Sequence, residues 1–312
     1  MKILITGALG HIGSFITRDL IKAFPNTQFI LIDNMMTQRF ASLFNLPSKG
    51  RFKFIETDII KIDLDKILQN GDIVIHLAAI TDAAGSFDKA DELENNNFNA
   101  TKVVAEACVK TGAKLITLSS TSVYGTQNLV VTEDCLPDEL KPQSPYAKTK
   151  LKEEDFILEL SQNKGLKAVI FRFGTIFGIS QGMRFHTAVN KFCWQAVMKQ
   201  PITVWSTAYD QKRPYLDIKD AAAAFAHVIN NNIFDGRIYN VLTLNATVRE
   251  IVETIEKFIP SLKVEFVNNK IMNQLSYEVS SSRFQNTGFL FKGNLTNGIK
   301  ETIDLLINSN NS

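Results

Sequence analysis

The chain has 312 residues, 45% apolar and 21% charged, with a formal net charge of +2. That composition is ordinary for a globular chain with a sizeable core, and with no basic run it shows no nucleic-acid footprint. The richest alanine stretch, Ala221 to Ala226, is far too short to span a bilayer.

Lys2-Ile3-Leu4-Ile5-Thr6 is a short apolar run of strand length, and it opens directly into Gly7-Ala8-Leu9-Gly10-His11-Ile12-Gly13. From Ile12 to Ala23 the spacing of Ile12, Phe15, Ile16 and Leu20 predicts a helix with one apolar face. A second apolar run, Phe29 to Ile32, ends at Asp33 and Asn34. Strand, glycine turn, helix, strand and acid is the order a dinucleotide site requires, although the spacing is GxxGxxG rather than GxGxxG. Gly7, Gly10 and Gly13, with His11 and Ile12 between them, would receive a pyrophosphate at the helix N-terminus, where free N–H groups favour negative charge. Asp33 would accept from both ribose hydroxyls and repel a 2′-phosphate, which favours NAD over NADP.

Arg51 to Ile55 reads as a third strand. Beyond it, Asp58 is suited to the exocyclic amine of adenine and Ile59 to the ring face. A fourth strand runs from Asp72 into Leu77-Ala78-Ala79, whose small side chains let a cofactor lie against the backbone; His76 reads as a packed, hydrogen-bonded residue. The stretch from Asp91 to Thr111 is helical, and Asn97 within it is a poor helix former suited to bonding the backbone near the site. Lys114 to Leu118 is a fifth strand ending in Ser119-Ser120-Thr121-Ser122. A helix starts after Pro145 and runs to about Gln162, and Lys167 to Phe173 is a sixth strand. Strands alternating with helices give an α/β fold, a Rossmann-type doubly wound parallel sheet. We assign 1–173 to the NAD-binding domain and 174–312 mainly to a smaller C-terminal α/β substrate lobe, some of whose segments return to the first domain. In that lobe Arg184 to Lys199, Asp217 to Asn230, Val248 to Phe258 and Leu295 to Ile307 read as helices, Ile202 to Val204 as a strand, and Asn308 to Ser312 as a solvated end.

Tyr146 and Lys150 lie four apart at a helix start and so share a face. A phenol with a reference pKa near 10 becomes a base at neutral pH only if roughly three units, about 4 kcal/mol, are supplied by preferential stabilisation of the phenolate. An ammonium one turn away, together with a cationic nicotinamide, can do this. Ser120 can bond the same substrate hydroxyl and relay its proton.

With these motifs, and with Asn97 to Thr101, Arg172 to Gly178 and Arg213 to Asp220, nearly the whole chain resembles the extended short-chain dehydrogenase/reductases, specifically the NAD-dependent epimerase/dehydratase family of nucleotide-sugar enzymes. The resemblance implies Tyr146 as base, Lys150 as its tuner and a nicotinamide-ribose ligand, and Ser120 as hydroxyl partner, with Ser119 and Phe173 beside the cofactor. It implies a diphosphate contact from Arg213, and a substrate set completed by Thr81, Thr121 and Thr175. A similarity to one subgroup turns Arg184 and Asn190 toward the substrate. Dehydratases of the family carry Asp-Glu where Thr121 and Ser122 stand, so dehydration is disfavoured. Thr175 replaces a common asparagine, Asp217 a common histidine and Ser281 a common aspartate.

The expected activity is that of an NAD-dependent nucleotide-sugar epimerase, most simply at C4. A net dehydrogenase releasing NADH is the alternative, and a non-catalytic dinucleotide sensor is disfavoured because both Tyr146 and Lys150 are present. No metal is expected, since Cys108, Cys135 and Cys193 lie far apart without metal spacing. Their odd count, and a Met1 that leads straight into a strand without room for a signal peptide, point to reduced thiols in the cytoplasm. Apolar residues are left over on the helices at 91–111 and 146–162, among them Phe98, Phe156 and Leu160, and the resemblance implies that such a helix pair meets its symmetry mate in a four-helix bundle, so a homodimer is expected.

Overall fold

The computed structural model describes residues 1–81, 90–125, 130–267 and 276–308. The expected solvated tail at 309–312 lies outside the described residues. In chain order the elements are β1 (Lys2–Thr6), α1 (His11–Ala23), β2 (Gln28–Asp33), β3 (Arg51–Glu56), β4 (Ile73–His76), α2 (Ala90–Thr111) and β5 (Lys114–Ser120). Then come β6 (Val130–Val131), α3 (Pro145–Lys164), β7 (Ala168–Phe173), β8 (Thr175–Phe177), α4 (Ala188–Val197), β9 (Ile202–Trp205), β10 (Lys212–Asp217) and α5 (Ile218–Asn230). The chain closes with β11 (Arg237–Val241), β12 (Leu244–Thr247), α6 (Val248–Glu256), β13 (Val264–Val267), β14 (Glu278–Val279), α7 (Ser282–Gln285) and α8 (Leu295–Asn308).

Seven strands form one sheet in the order β11-β7-β5-β4-β1-β2-β3, and every neighbouring pair is parallel. Alternation along β1 explains why both faces are covered. Ile3 and Ile5 point to the side of α1 and α5, where they meet Ile16, Leu20 and Phe225. Leu4 points to the side of α2 and α3, among Val104, Leu115, Ile157 and Leu160. Leu160 is only 3% exposed, so this residue, expected to face outward on the dimer surface, is part of the monomer's core. The helix period carries it under α3 beside Ile157, leaving Phe98 and Phe156 partly exposed on the outer side.

Beyond Phe173 the chain builds a second core from Phe177, Val189, Tyr215, Ile251 and Ile299, gathered by α4, α6 and α8. A three-stranded sheet, β12-β10-β8, carries Arg213 and Thr175. From this part of the chain β11 adds an edge strand to the large sheet and α5 packs on α1. The helix expected from Arg184 begins only at Ala188; residues 184–187 are not helical, and Thr187 is the residue before its first turn.

Candidate active site

The C-terminal ends of β1, β2, β4, β5 and β7 open into a cleft of about 420 Å³. At its floor Gly7 has φ +63°, and a Cβ there would lie 2.8 Å from the Ala78 nitrogen. Gly13 is equally constrained, since a Cβ would stand 2.5 Å from the Gly7 carbonyl oxygen. These glycines let β1, β4 and α1 approach closely. α1 starts at Gly10 with no side-chain cap, so its first N–H groups face the cleft.

His11 sits in this turn. Its Nδ1 is 2.7 Å from Ser180 Oγ, while Nε2 is buried without a hydrogen-bond partner among the described residues. Burial, reinforced by Arg39 and Arg184, pushes its pKa down to about 3, so the ring is neutral. In the tautomer in which Nδ1 accepts from Ser180, Nε2 would carry a proton without an acceptor, which suits a phosphate oxygen. The orphaned N–H and the uncapped helix start fit the pyrophosphate of a dinucleotide.

Asp33 Oδ2 accepts from Leu9 N at 3.0 Å and Oδ1 from Met35 N at 3.0 Å, which fixes the carboxylate at the rim of the cleft. Asp58 Oδ1 accepts from Ile60 N at 3.2 Å, and that cap turns Ile59 inward. Asn97 does bond the backbone near the site: Oδ1 accepts from Ile80 N at 2.8 Å and Nδ2 donates to Ile80 O at 2.9 Å. His76 is packed between Thr6 Oγ1, at 2.8 Å, and Thr101 Oγ1, at 3.3 Å.

The segment 178–187 crosses over the glycine turn. Gly182 N donates to Ser14 Oγ at 2.8 Å, and Arg39 Nη1 donates to Gly182 O at 2.9 Å. Arg184 reaches across to Thr81 Oγ1. Asn190 does not line the cleft, contrary to the expectation that it faces substrate. It is fully buried, with Oδ1 accepting from Gly178 N at 3.2 Å and Nδ2 donating to Arg184 O at 3.2 Å. Its amide is spent on shaping the segment that carries Arg184.

At the other end of the cleft stand Ser119, Ser120, Thr121, Ser122, Tyr146 and Lys150. α3 is placed by Ser144, whose Oγ accepts from Ala147 N at 3.1 Å, and by Pro145 in its first turn. A bidentate pair, Arg172 to Glu154 at 2.8 and 2.6 Å, fastens α3 to β7. Ser120 Oγ accepts from Ser122 N and Ser122 Oγ, at 3.2 and 2.9 Å. Lys150 Nζ lies 5.8 Å from the Tyr146 ring centre and donates to Glu153 Oε2 at 2.8 Å. Enclosure pushes the Tyr146 pKa upward, Lys150 and Arg184 oppose this, and Glu153 reinforces it.

Every residue expected to bind cofactor lines this one cleft, as do Thr81, Thr121, Thr175, Arg184 and Arg213. Sequence reasoning missed Arg39, His186 and Tyr277, which line it too. Arg39 was readable as a cation in the loop after Asp33. Tyr277 arrives from a distant segment beside β14, which no local pattern could signal.

The model of the NAD dependent epimerase/dehydratase family matches residues 3–241. An uncharacterised UDP-glucose epimerase of Bacillus subtilis is 31% identical over 266 residues, 82% of this chain and 81% of that protein. A trifunctional UDP-glucose 4,6-dehydratase/UDP-4-keto-6-deoxy-D-glucose 3,5-epimerase/UDP-4-keto-L-rhamnose-reductase of Arabidopsis thaliana is 30% identical over 97% of this chain, which spans only 46% of that protein's length. Among solved structures, UDP-glucuronic acid 4-epimerase from Bacillus cereus in complex with UDP-glucuronic acid and NAD superposes with a TM-score of 0.90 at 28% identity, covering 99% of this chain and 100% of that one.

Proposed function

The chain belongs to the NAD-dependent epimerase/dehydratase family, and from that premise we propose that it is a nucleotide-sugar epimerase acting at C4, with UDP-sugars the first candidates. The observation that carries this reading is the distribution of acids in the cleft. Among the described residues its lining carboxylates are Asp33 and Asp58, both away from Tyr146, and at the reacting end Thr121 and Ser122 carry only hydroxyls. Water elimination needs an acid and a base beside the sugar; proton transfer by a phenol with hydroxyl partners suits epimerisation.

NAD, when bound, supplies the acceptor and later the donor of hydride at the sugar carbon. Tyr146 takes the C4 hydroxyl proton during oxidation and gives it back during reduction. Ser120, with Ser122 hydrogen-bonded to it, orients that hydroxyl and passes its proton. Lys150 holds the nicotinamide ribose and biases Tyr146 toward the phenolate. Arg213 pairs with the diphosphate, while Thr81, Thr175 and Arg184 face the sugar. Asp33 and Asn34 receive the adenosine ribose, and Asp58 and Ile59 the adenine. The fastening of 178–187 over the glycine turn supports a cofactor retained between turnovers, as an epimerase needs and a dehydrogenase does not. In this reading 1–173 holds NAD and 174–312 supplies most of the substrate lobe. Three free cysteines support a reducing, cytoplasmic location. The partly exposed pair Phe98 and Phe156, 5.5 Å apart on the outer side of α2 and α3, supports a homodimer.

The test is incubation of the purified protein with a panel of UDP-, dTDP-, GDP- and CDP-sugars headed by UDP-glucuronic acid and UDP-glucose. A C4 epimer formed without net NADH is the expected result. Accumulating NADH would overturn the reading in favour of a dehydrogenase.

A further inference from the structure

The Lys150 ammonium, which should ease deprotonation of Tyr146, is already engaged. Its Nζ meets Glu153 Oε2 at 2.8 Å, and the two side chains are 7% and 5% exposed. Glu153 lies three residues on, on the same face of α3 as Tyr146 and Lys150. Its second oxygen, Oε1, is buried with no hydrogen-bond partner among the described residues. Burying a carboxylate with an unsatisfied oxygen is costly, and its pairing with the buried Lys150 ammonium offsets that cost. The acid is matched to the Lys150 ammonium, at a place from which its charge also reaches Tyr146.

We infer that Glu153 is a positioning residue for the base: it holds Lys150 by one N–H and cancels much of its charge toward Tyr146, so that the phenol keeps its proton until a cationic nicotinamide lies beside it. This rests on the reading of Tyr146 as the base.

An ion pair acts at a distance as a dipole, whose field falls off faster than that of the lone ammonium. The other charged groups near the phenol do not replace Glu153. Arg184, from the segment 178–187, is cationic and opposes it. Glu154 is consumed by Arg172 of β7 in a bidentate pair. His76, on β4, is kept neutral by burial. Burial is the main influence that keeps the phenol protonated, and Glu153 is the negative group that adds to it, with Lys150 and Arg184 on the other side of the balance.

The arrangement suits a reaction whose proton must leave the sugar and come back to it. While the nicotinamide is cationic, Tyr146 gives up its proton readily and can accept the one on the sugar hydroxyl. Once the nicotinamide is neutral, the Lys150–Glu153 pair leaves Tyr146 a weak acid. The proton then stays on the phenol through the keto stage, available for the return.

The experiment is a titration of Tyr146 in the NAD-loaded enzyme, followed by near-ultraviolet phenolate absorbance with Tyr146→Phe subtracted as the blank. In Glu153→Gln the midpoint is expected to fall by about one pH unit, and the acid limb of the pH–rate profile should move the same way with KM for the sugar unchanged. Glu153→Asp, which restores the charge, should return the midpoint toward the wild type. A midpoint that stays or rises in Glu153→Gln overturns the inference. If the Gln variant does not retain NAD, Glu153→Ala is read in its place by the same criterion. A wild-type titration indistinguishable from Tyr146→Phe would overturn the base assignment itself, and the inference with it.

Discussion

Gly182 and Ser14 are joined by a 2.8 Å hydrogen bond from the Gly182 nitrogen to the Ser14 hydroxyl, which lays the 178–187 segment directly on the first turns of α1. A Cβ at position 182 would meet the carbonyl oxygens of Leu9 and Gly10, so the approach depends on glycine. Gly182→Ala should lift the segment from the turn and free the Arg39 and Ser180 contacts with it. We expect NAD to dissociate at least about tenfold faster, a change of about 1.4 kcal/mol or more, with the fold retained. Calorimetry and recovery of cofactor after desalting measure this directly. Wild-type retention would show that the segment is no fastening.

Asp33, which we propose receives the adenosine ribose, is held by the Leu9 and Met35 nitrogens, and Arg39 lines the same wall. Removing the carboxylate removes the repulsion toward a 2′-phosphate and leaves the guanidinium to meet it. Asp33→Ala should therefore weaken NAD and strengthen NADP, while Asp33→Ala with Arg39→Ala should weaken both. A wild type that prefers NADP in calorimetry would refute the assignment of Asp33.

Tyr146→Phe preserves the shape of the cleft but removes the hydroxyl proposed as the proton acceptor. Turnover should fall by about 10²–10⁴-fold while NAD binding stays near wild type. Lys150→Ala should lower both, if its ammonium serves cofactor and phenol together as proposed. Near-normal epimerisation by Tyr146→Phe would exclude the mechanism.

The legible parts of the sequence were those where a local pattern has one physical meaning. The glycines of the first turn, the short continuous apolar runs and the acid at the end of β2 could hardly be arranged otherwise, and the sheet followed from them. Asn97 was legible because an amide in a helix interior needs a reason, and Ile80 is that reason. Asn190 and Leu160 misled because periodicity gives a face but not what covers it. Asn190 turned inward to Gly178 and Arg184, and Leu160 turned under α3. Glu153 was invisible as a partner of Lys150, since an acid three residues from a lysine on a helix usually forms a solvated pair.

Burial drops the His76 pKa from 6.5 to about 3. Below pH 6.5 the unfolded chain binds a proton there that the folded chain refuses, so stability falls as pH falls, by up to about 1.4 kcal/mol per pH unit. The loss should level off near pH 3, where the folded form also protonates. His11 adds a parallel contribution with the same sign. In His76→Asn the slope of unfolding free energy between about pH 7 and about pH 5 should drop by about one proton. Equal slopes in variant and wild type, from urea unfolding, would show that His76 titrates normally.

The outer side of α2 and α3 should be the dimer surface. The two helices pack against each other, and Phe98 and Phe156 meet edge to face with ring centres 5.5 Å apart, both partly exposed. Lys152 lies 4.4 Å over the Phe98 ring and pairs with Glu94 at 2.6 Å, so a polar margin borders the aromatic pair. An aromatic centre with a charged rim is the composition of an interface that closes on a copy of itself. The same α3 carries Tyr146 and Lys150, so burial of its outer side would stiffen the helix that positions them. Light scattering should return twice the chain mass of 34.9 kDa. Phe98→Lys, which leaves the inner core of Val104 and Leu160 untouched, should shift the protein toward monomer while its circular dichroism stays unchanged. A wild-type mass equal to one chain at micromolar concentration would refute the dimer; a Phe98→Lys protein that remains dimeric would move the contact to another surface.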